Sequence, residues 1–266
     1  GNVTATISAN GYVDTIAILP THSGTHQIGA DSTPYEAPGV DDDDASGDFL
    51  VNPGPADHFS VTQSGTGNPI IGQTAGVPFL VRVTALDLYD NVATGFTGAV
   101  SLTSNAFLET VPVTITTGGM AGDISVTPKV ALDNRVIYAT ASGIPTGVAS
   151  NSFNVVPGTA VKLLVFLPGE TSAPGTTTGK TGTLNPMYKN VPFNITVWAV
   201  DANWNKVTGG TALVAITSSN PGATLPPSPA DLVGGEQVFS ITMSDDGNIT
   251  ATDTDGTPLL PYTTVS

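Results

Sequence analysis

The chain of 266 residues contains no cysteine, which excludes a disulfide framework, a thiolate metal site and a cysteine nucleophile. Positive charge is nearly as scarce. Seven Lys plus Arg stand against 22 Asp plus Glu, a net charge of −15. A surface of that sign repels phosphate, so nucleic acid and anionic membranes are not expected partners. No apolar run reaches the ~20 residues that cross a bilayer as a helix, and no signal-peptide pattern is present, so direct membrane insertion is not expected. Catalytic signatures are missing too: there is no GxSxG elbow and no HExxH. Acids confined to turns of a narrow fold do not offer the two facing carboxylates of a glycosidase. The reading is therefore of a protein that is not an enzyme. The chain starts at Gly1 rather than Met and reads as a processed or excised piece of something longer.

What is abundant is glycine (30) and proline (21), with an excess of Thr, Ser, Val and Ala. That is the composition of short strands joined by turns. The segment AGVPFLVRVTALDLYDNVATGFTGAVSLTSN from Ala75 repeats as KNVPFNITVWAVDANWNKVTGGTALVAITSSN from Lys189. Phe79 falls on Phe193, Asp87 on Asp201, Asn91 on Asn205 and Thr103 on Thr217, all at an offset of 114. Upstream, NPGPADHFSV from Asn52 matches VPGTAVKLLV from Val156 at an offset of 104. The second unit is thus ten residues longer, with the extra length in ETSAPGTTTGKTGTLNPMYK. Downstream, VIYATAS from Val136 and NITATDT from Asn248 share a column with NVTATIS from Asn2, and SGDFLVNPGPA around Phe49 matches SNSFNVVPGTA around Phe153. These registers divide the chain into 1–51, 52–156 and 157–266. The first part holds the last two strands of a preceding unit, 1–18 and 48–51, around an acidic insertion at 19–47.

Within each full unit the alternation has a period of two. In VPFNITVWAVD, Phe193, Ile195, Val197 and Ala199 point one way and Asn194, Thr196 and Trp198 the other. Units of roughly a hundred residues with about seven short strands and Gly/Pro-rich turns predict an all-β fold of tandem immunoglobulin-like sandwiches. The order PGxA, alternating strand, xxDxxxN, TGxxxxxTSSN and TATxxG resembles the Ig-like repeats of bacterial and archaeal cell-surface proteins, including adhesins, invasin-like stalks and S-layer or filament proteins. The resemblance covers 52–266 and part of 1–51. It implies a structural role at an extracellular surface, with copies of the chain itself or other surface-layer subunits as partners. The cysteine pair and buried tryptophan of antibody domains are absent.

Several residue sets could bind ligands. Asp41, Asp42, Asp43 and Asp44 are consecutive, with Asp48 just beyond, and mutual repulsion there favours calcium, with a solvated acidic loop as the plainer reading. Asp87, Asp90 and Asn91, with Asp201, Asn203 and Asn205 in the sister unit, form turns at a pole of each sandwich. There they would offer oxygens to calcium between units, or serve the turn's own hydrogen bonds. His22 and His26 have a zinc spacing only on a helix, which Gly24 and its neighbours argue against. Calcium is thus the one cofactor expected, if any. Asn2, Asn194 and Asn248 head N-x-T sequons, Asn194 and Asn248 on outward positions. Trp198 and Trp204, outward or in the turn, suit sugar stacking, so the alternative function is a non-catalytic polysaccharide-binding region of a secreted enzyme, with carbohydrate as partner. Finally, the strands of 1–51 cannot bury a core alone. Either upstream strands cover them or another subunit does, linking chains head to tail.

Overall fold

The computed structural model describes residues 18–28, 49–107, 109–227, 229–255 and 259–264. Among them there is no helix, and hence none long and apolar enough to cross a membrane. A pair of short strands, β1 (Gly24–His26) and β2 (Phe49–Val51), comes first. The first unit contains β3 (His58–Gln63), β4 (Gln73–Thr74), β5 (Phe79–Leu86), β6 (Gly98–Thr103), β7 (Val111–Ile115), β8 (Met120–Val126), β9 (Leu132–Arg135), β10 (Tyr138–Ala141), β11 (Ile144–Val148) and β12 (Phe153–Val156). The second contains β13 (Lys162–Phe166), β14 (Glu170–Ser172), β15 (Lys180–Gly182), β16 (Phe193–Val200), β17 (Leu213–Ser218), β18 (Ala230–Asp231), β19 (Glu236–Ile241), β20 (Ile249–Asp253) and β21 (Tyr262–Thr263).

Each unit is a sandwich of a three-stranded and a four-stranded sheet, which makes the seven strands the repeat predicts. In the first unit β3-β5-β8 faces β11-β10-β6-β7, and in the second β13-β16-β19 faces β18-β17-β20-β21. The two-residue alternation builds the interior. Val81, Val83 and Ala85 of β5, and Ile195, Val197 and Ala199 of β16, are fully buried, while Asn194 is exposed. They meet Val100, Leu102 and Ile137 in the first core and Val214, Ile216 and Ala251 in the second. A further small sheet, β4-β12-β9, closes the far end of the first unit.

A Gly-Gly pair recurs ahead of β8 and β19. Gly119 and Gly235 have φ of 70° and 74°, and a Cβ on them would come within 2.4 Å of the Ala93 carbonyl oxygen and 2.1 Å of that of Val207. Only glycine combines that backbone with that approach.

The extra residues of the second unit fold back as the hairpin β14–β15. Beneath it lies a second small core of Leu164, Phe166 and Val200, with Trp198, Trp204 and Tyr262 packed against it. The three-stranded sheet is therefore apolar on both faces, which explains the unbroken run LLVF in β13. Lys180 Nζ fastens the hairpin, donating to Glu170 Oε2 (2.7 Å) and to the Val165 carbonyl (3.1 Å).

In the opening segment Phe49–Val51 pairs with Gly24–His26, inside the stretch assigned to the acidic insertion. Residues 1–17, Asn2 among them, lie outside the described residues, as do Asp41 to Asp44 and Asp48. The physical reason for the pairing is that Asn91 anchors the backbone just ahead of Gly24, as shown next.

Candidate functional site

The repeated turn DxxxN sits where each unit meets what precedes it. In the second unit Asp201 is buried. Its Oδ1 accepts the backbone N–H groups of Asn203 (2.8 Å) and Asn205 (2.9 Å), and its Oδ2 accepts that of Gly158 (2.9 Å), from the Pro-Gly linker. The carboxylate thus shapes its own turn and holds the linker. Asn205, oriented by Nδ2 donation to Asp201, reaches into the first unit. Its Nδ2 donates to the Lys129 carbonyl (2.9 Å) and its Oδ1 accepts the Ala131 N–H (2.7 Å).

The first unit repeats this arrangement bond for bond. Asp87 Oδ1 accepts from Tyr89 (2.9 Å) and Asn91 (3.0 Å), and Oδ2 from Gly54 (2.8 Å). Asn91 Nδ2 donates to the Thr21 carbonyl (2.7 Å), and its Oδ1 accepts the Ser23 N–H (2.9 Å). Thr21, Ser23 and β1 therefore stand to the first unit as Lys129, Ala131 and β9 stand to the second. Burial raises the pKa of Asp87, but the Gly54 and Tyr89 N–H groups, with those of Asn91, outweigh it and hold the carboxyl at about 2. An amide staple of this kind binds main chain and not side chain, so it fixes orientation without reading the neighbour's sequence.

The oxygens that calcium would need at Asp87 and Asp201 are thus directed at N–H donors. Asp90 is exposed and its Oδ1 faces His58 Nε2 at 3.0 Å. Asn203 lies against Gly76 of the first unit, and its carbonyl accepts the Gly175 N–H of the insert (2.7 Å). Among the described residues no group of three or more His, Cys, Asp or Glu is placed to hold a metal ion.

One position of the turn has diverged as a pair. Asp90 and Trp204 are both left-handed, with φ of 64° and 68°. Asp90 contacts His58, whereas Trp204 contacts Lys162, the residue that replaces His58 in the repeat. Lys162 Nζ lies 3.2 Å from the Trp204 ring centroid and donates to the Ala202 carbonyl (2.9 Å). Burial lowers the Lys162 pKa, with the Asp201 charge opposing. A histidine–carboxylate hydrogen bond at this corner of the first unit thus corresponds to a cation–π contact in the second.

Both tryptophans are half-buried in the unit's own packing. Trp204 is closed over by Gly179 of the insert and touches Tyr262 edge-on at 6.3 Å. Trp198 packs edge-on to Phe166 (4.7 Å), and its indole N–H donates to Glu236 Oε2 (2.9 Å), which also receives Lys206. The Lys206 hydrogen bond is the main reason the Glu236 pKa is lowered. Trp198 and Trp204 both pack against the small core of Leu164, Phe166 and Val200, and the hairpin covers Trp204 through Gly179. Of the sequons, Asn194 is exposed in β16 and Asn248 is half-buried beside β20. His26 Nε2 is 2.8 Å from the His22 carbonyl, a local contact within the loop that leads to β1.

The pole of the second unit opposite its staple carries a groove of about 530 Å³ lined by Leu184, Met187, Tyr188, Phe193, Met243 and Ile249 among others. Sequence reasoning gave no hint of it, nor of the Gly-Gly pairs and the Lys180–Glu170 pair; the one available signal was the match of SNSFNVV to SGDFLVN.

No protein-family model matches the chain, and no curated protein sequence does so. Solved structures similar to it include the Escherichia coli adhesin FdeC, at 15% identity over 81% of this chain and 67% of that one, with a TM-score of 0.36. Domains 5–6 of the S-layer protein SbsC are 21% identical over 80% of this chain and 97% of that one, with a TM-score of 0.25. The Parabacteroides merdae β-glucuronidase is 10% identical over 77% of this chain, with a TM-score of 0.28. This chain spans about a quarter of the length of the β-glucuronidases it matches, 24% in each case. Surface proteins and an enzyme share the likeness alike, so it separates no function from another.

Proposed function

We propose that the chain is a structural module of an extracellular surface assembly, a stalk, layer or filament, in which Ig-like sandwiches are fastened end to end. The observation that carries this reading is the Asp–Asn staple, present with the same six kinds of hydrogen bond at both joints. A joint in which a buried side-chain amide locks onto the neighbour's main chain gives a rod of fixed geometry, the property a surface support needs and a soluble catalyst does not. The large negative charge keeps such a rod soluble and repels anionic membrane. Both tryptophans are engaged in their own unit's packing, so the support for a load-carrying role exceeds that for sugar binding. The test is immunogold labelling of intact cells with antibody raised against the folded chain. Label on unpermeabilised cells is expected, and label that requires permeabilisation would sink the reading.

A further inference from the structure

The insert of the second unit reaches further than the face it covers. Its tip, residues 173–179, is closed on itself: the Ala173 N–H donates to the Gly179 carbonyl (2.8 Å), and the Thr176 hydroxyl donates to the Ala173 carbonyl (2.7 Å). From this closed tip the Gly175 N–H donates outward, to the Asn203 carbonyl at 2.7 Å. Asn203 belongs to the turn that grips the first unit. Its side-chain amide lies so near Gly76 of that unit that a Cβ there would stand 2.7 Å from Asn203 Nδ2. One residue thus meets the insert with its backbone and the neighbouring unit with its side chain.

Trp204, the next residue, has a φ of 68°, a left-handed backbone that a bulky side chain takes only where its surroundings impose it. Those surroundings are the insert and β13. A Cβ on Gly179 would fall 2.5 Å from Trp204 Cγ, and Lys162 Nζ lies 3.2 Å from the ring centroid. Lys162 also donates to the Ala202 carbonyl (2.9 Å). Ala202, Asn203 and Trp204 are therefore each held from the side of their own unit, while Asn203 and Asn205 meet the first unit on the other side. The sister turn lacks this backing. β3 and β4 are joined without a hairpin, and Asp90 takes the left-handed position, where aspartate is tolerated better than tryptophan.

We infer that the insert is a brace for the joint: the hairpin, the turn 202–205 and the grip on the first unit form one cooperative element, so that loosening the hairpin loosens the grip. The Lys180–Glu170 pair is its latch, tying β14 to β15 and both to the Val165 carbonyl of β13. The partners of Lys180 and Glu170 lie within the second unit. A change at the latch therefore reaches the first unit only through the turn. The braced joint is the stiffer of the two in the chain. This inference goes beyond the structural-module reading and does not depend on where the protein resides.

Two variants of the full chain test it by native-state hydrogen exchange followed by NMR. Lys180→Met keeps the aliphatic stem and removes the latch, and Trp204→Asp puts in the residue that the first unit carries. Each should speed exchange of the Ala131 amide, across the joint, about five- to tenfold, the worth of one hydrogen bond. Amides at the centres of β5 and β16 should keep their rates. Trp204→Tyr retains a ring beneath Gly179 and should leave Ala131 within about threefold of wild type. A hairpin that only covers its own sheet predicts the opposite pattern, faster exchange at Leu164 and Phe166 with Ala131 unchanged, and that result overturns the inference. An Ala131 acceleration matched in full at the centre of β16 in both variants overturns it too, since the joint would then open only with the whole unit. Either variant with Ala131 faster and β16 unchanged sustains it. Cells without surface label would sink the structural-module reading and leave the brace standing, whereas an unmoved Ala131 would do the reverse.

Discussion

Replacing Asn205 by alanine isolates the staple. The backbone bonds of the Asp201 turn survive, because the Asn205 N–H and carbonyl still bond Asp201. What is lost is the side-chain donation to Lys129 O at 2.9 Å, the acceptance from Ala131 N at 2.7 Å, and the tether to Asp201. A hydrogen bond contributes ~1 kcal/mol net, and a buried group left without its partner costs ~1–3 kcal/mol. Two backbone groups lose partners here, and the amide removed is itself buried. Water entering the vacated site recovers part of the loss, so we expect the joint to weaken by ~2–3 kcal/mol. At 1.4 kcal/mol for each factor of ten, the Ala131 amide should exchange its hydrogen ~30–150-fold faster. Amides in the centres of β5 and β16 should exchange unchanged, because neither core is touched. Native-state hydrogen exchange followed by NMR reads both at once. An Ala131 rate within about threefold of wild type, or an equal acceleration throughout the second unit, would refute the claim that this side chain fastens the joint.

Two further outcomes follow from the geometry. The Asp87 carboxyl is held at about 2, below its ordinary 3.8, so it stabilises the folded state above pH ~4 and this contribution disappears as pH falls from ~4 towards 2. An NMR titration should show the Gly54 and Asn91 amides shifting together near pH 2, and a midpoint at 3.8 or higher would contradict the bonds described. Gly235→Ala should lower the stability of the second unit by ~1–3 kcal/mol, about 4–8 °C of melting temperature for each kcal/mol, while Gly209→Ala, with open space around it, should be nearly neutral. Equal melting of the two variants would show that the left-handed backbone at Gly235 is not the constraint.

The sandwiches were legible because their signals are periodic and local. Alternation in β5 and β16, and one gapless offset linking Asp87 to Asp201 and Asn91 to Asn205, suffice to predict two copies of one all-β unit. The recurrence of DxxxN was visible too, but its purpose was not. An aspartate that shapes a turn and one that binds a cation use the same oxygens, and only the positions of Gly54 and Gly158 show which groups fill them. The packing of the tryptophans was hidden for a related reason. Alternation places Trp198 away from the main core, yet it says nothing of a ten-residue insertion that folds back over that face.

The staple takes hold of a carbonyl and an N–H, groups that nearly every residue offers. At one joint they belong to Thr21 and Ser23, at the other to Lys129 and Ala131, pairs with nothing else in common. A unit that is duplicated or transplanted therefore arrives with its own fastener and makes no demand on the side chains it meets. Sequence drift on the receiving side leaves the joint intact, so long as the backbone keeps its path. Such arrays can grow, shrink and exchange members without their neighbours having to change in step.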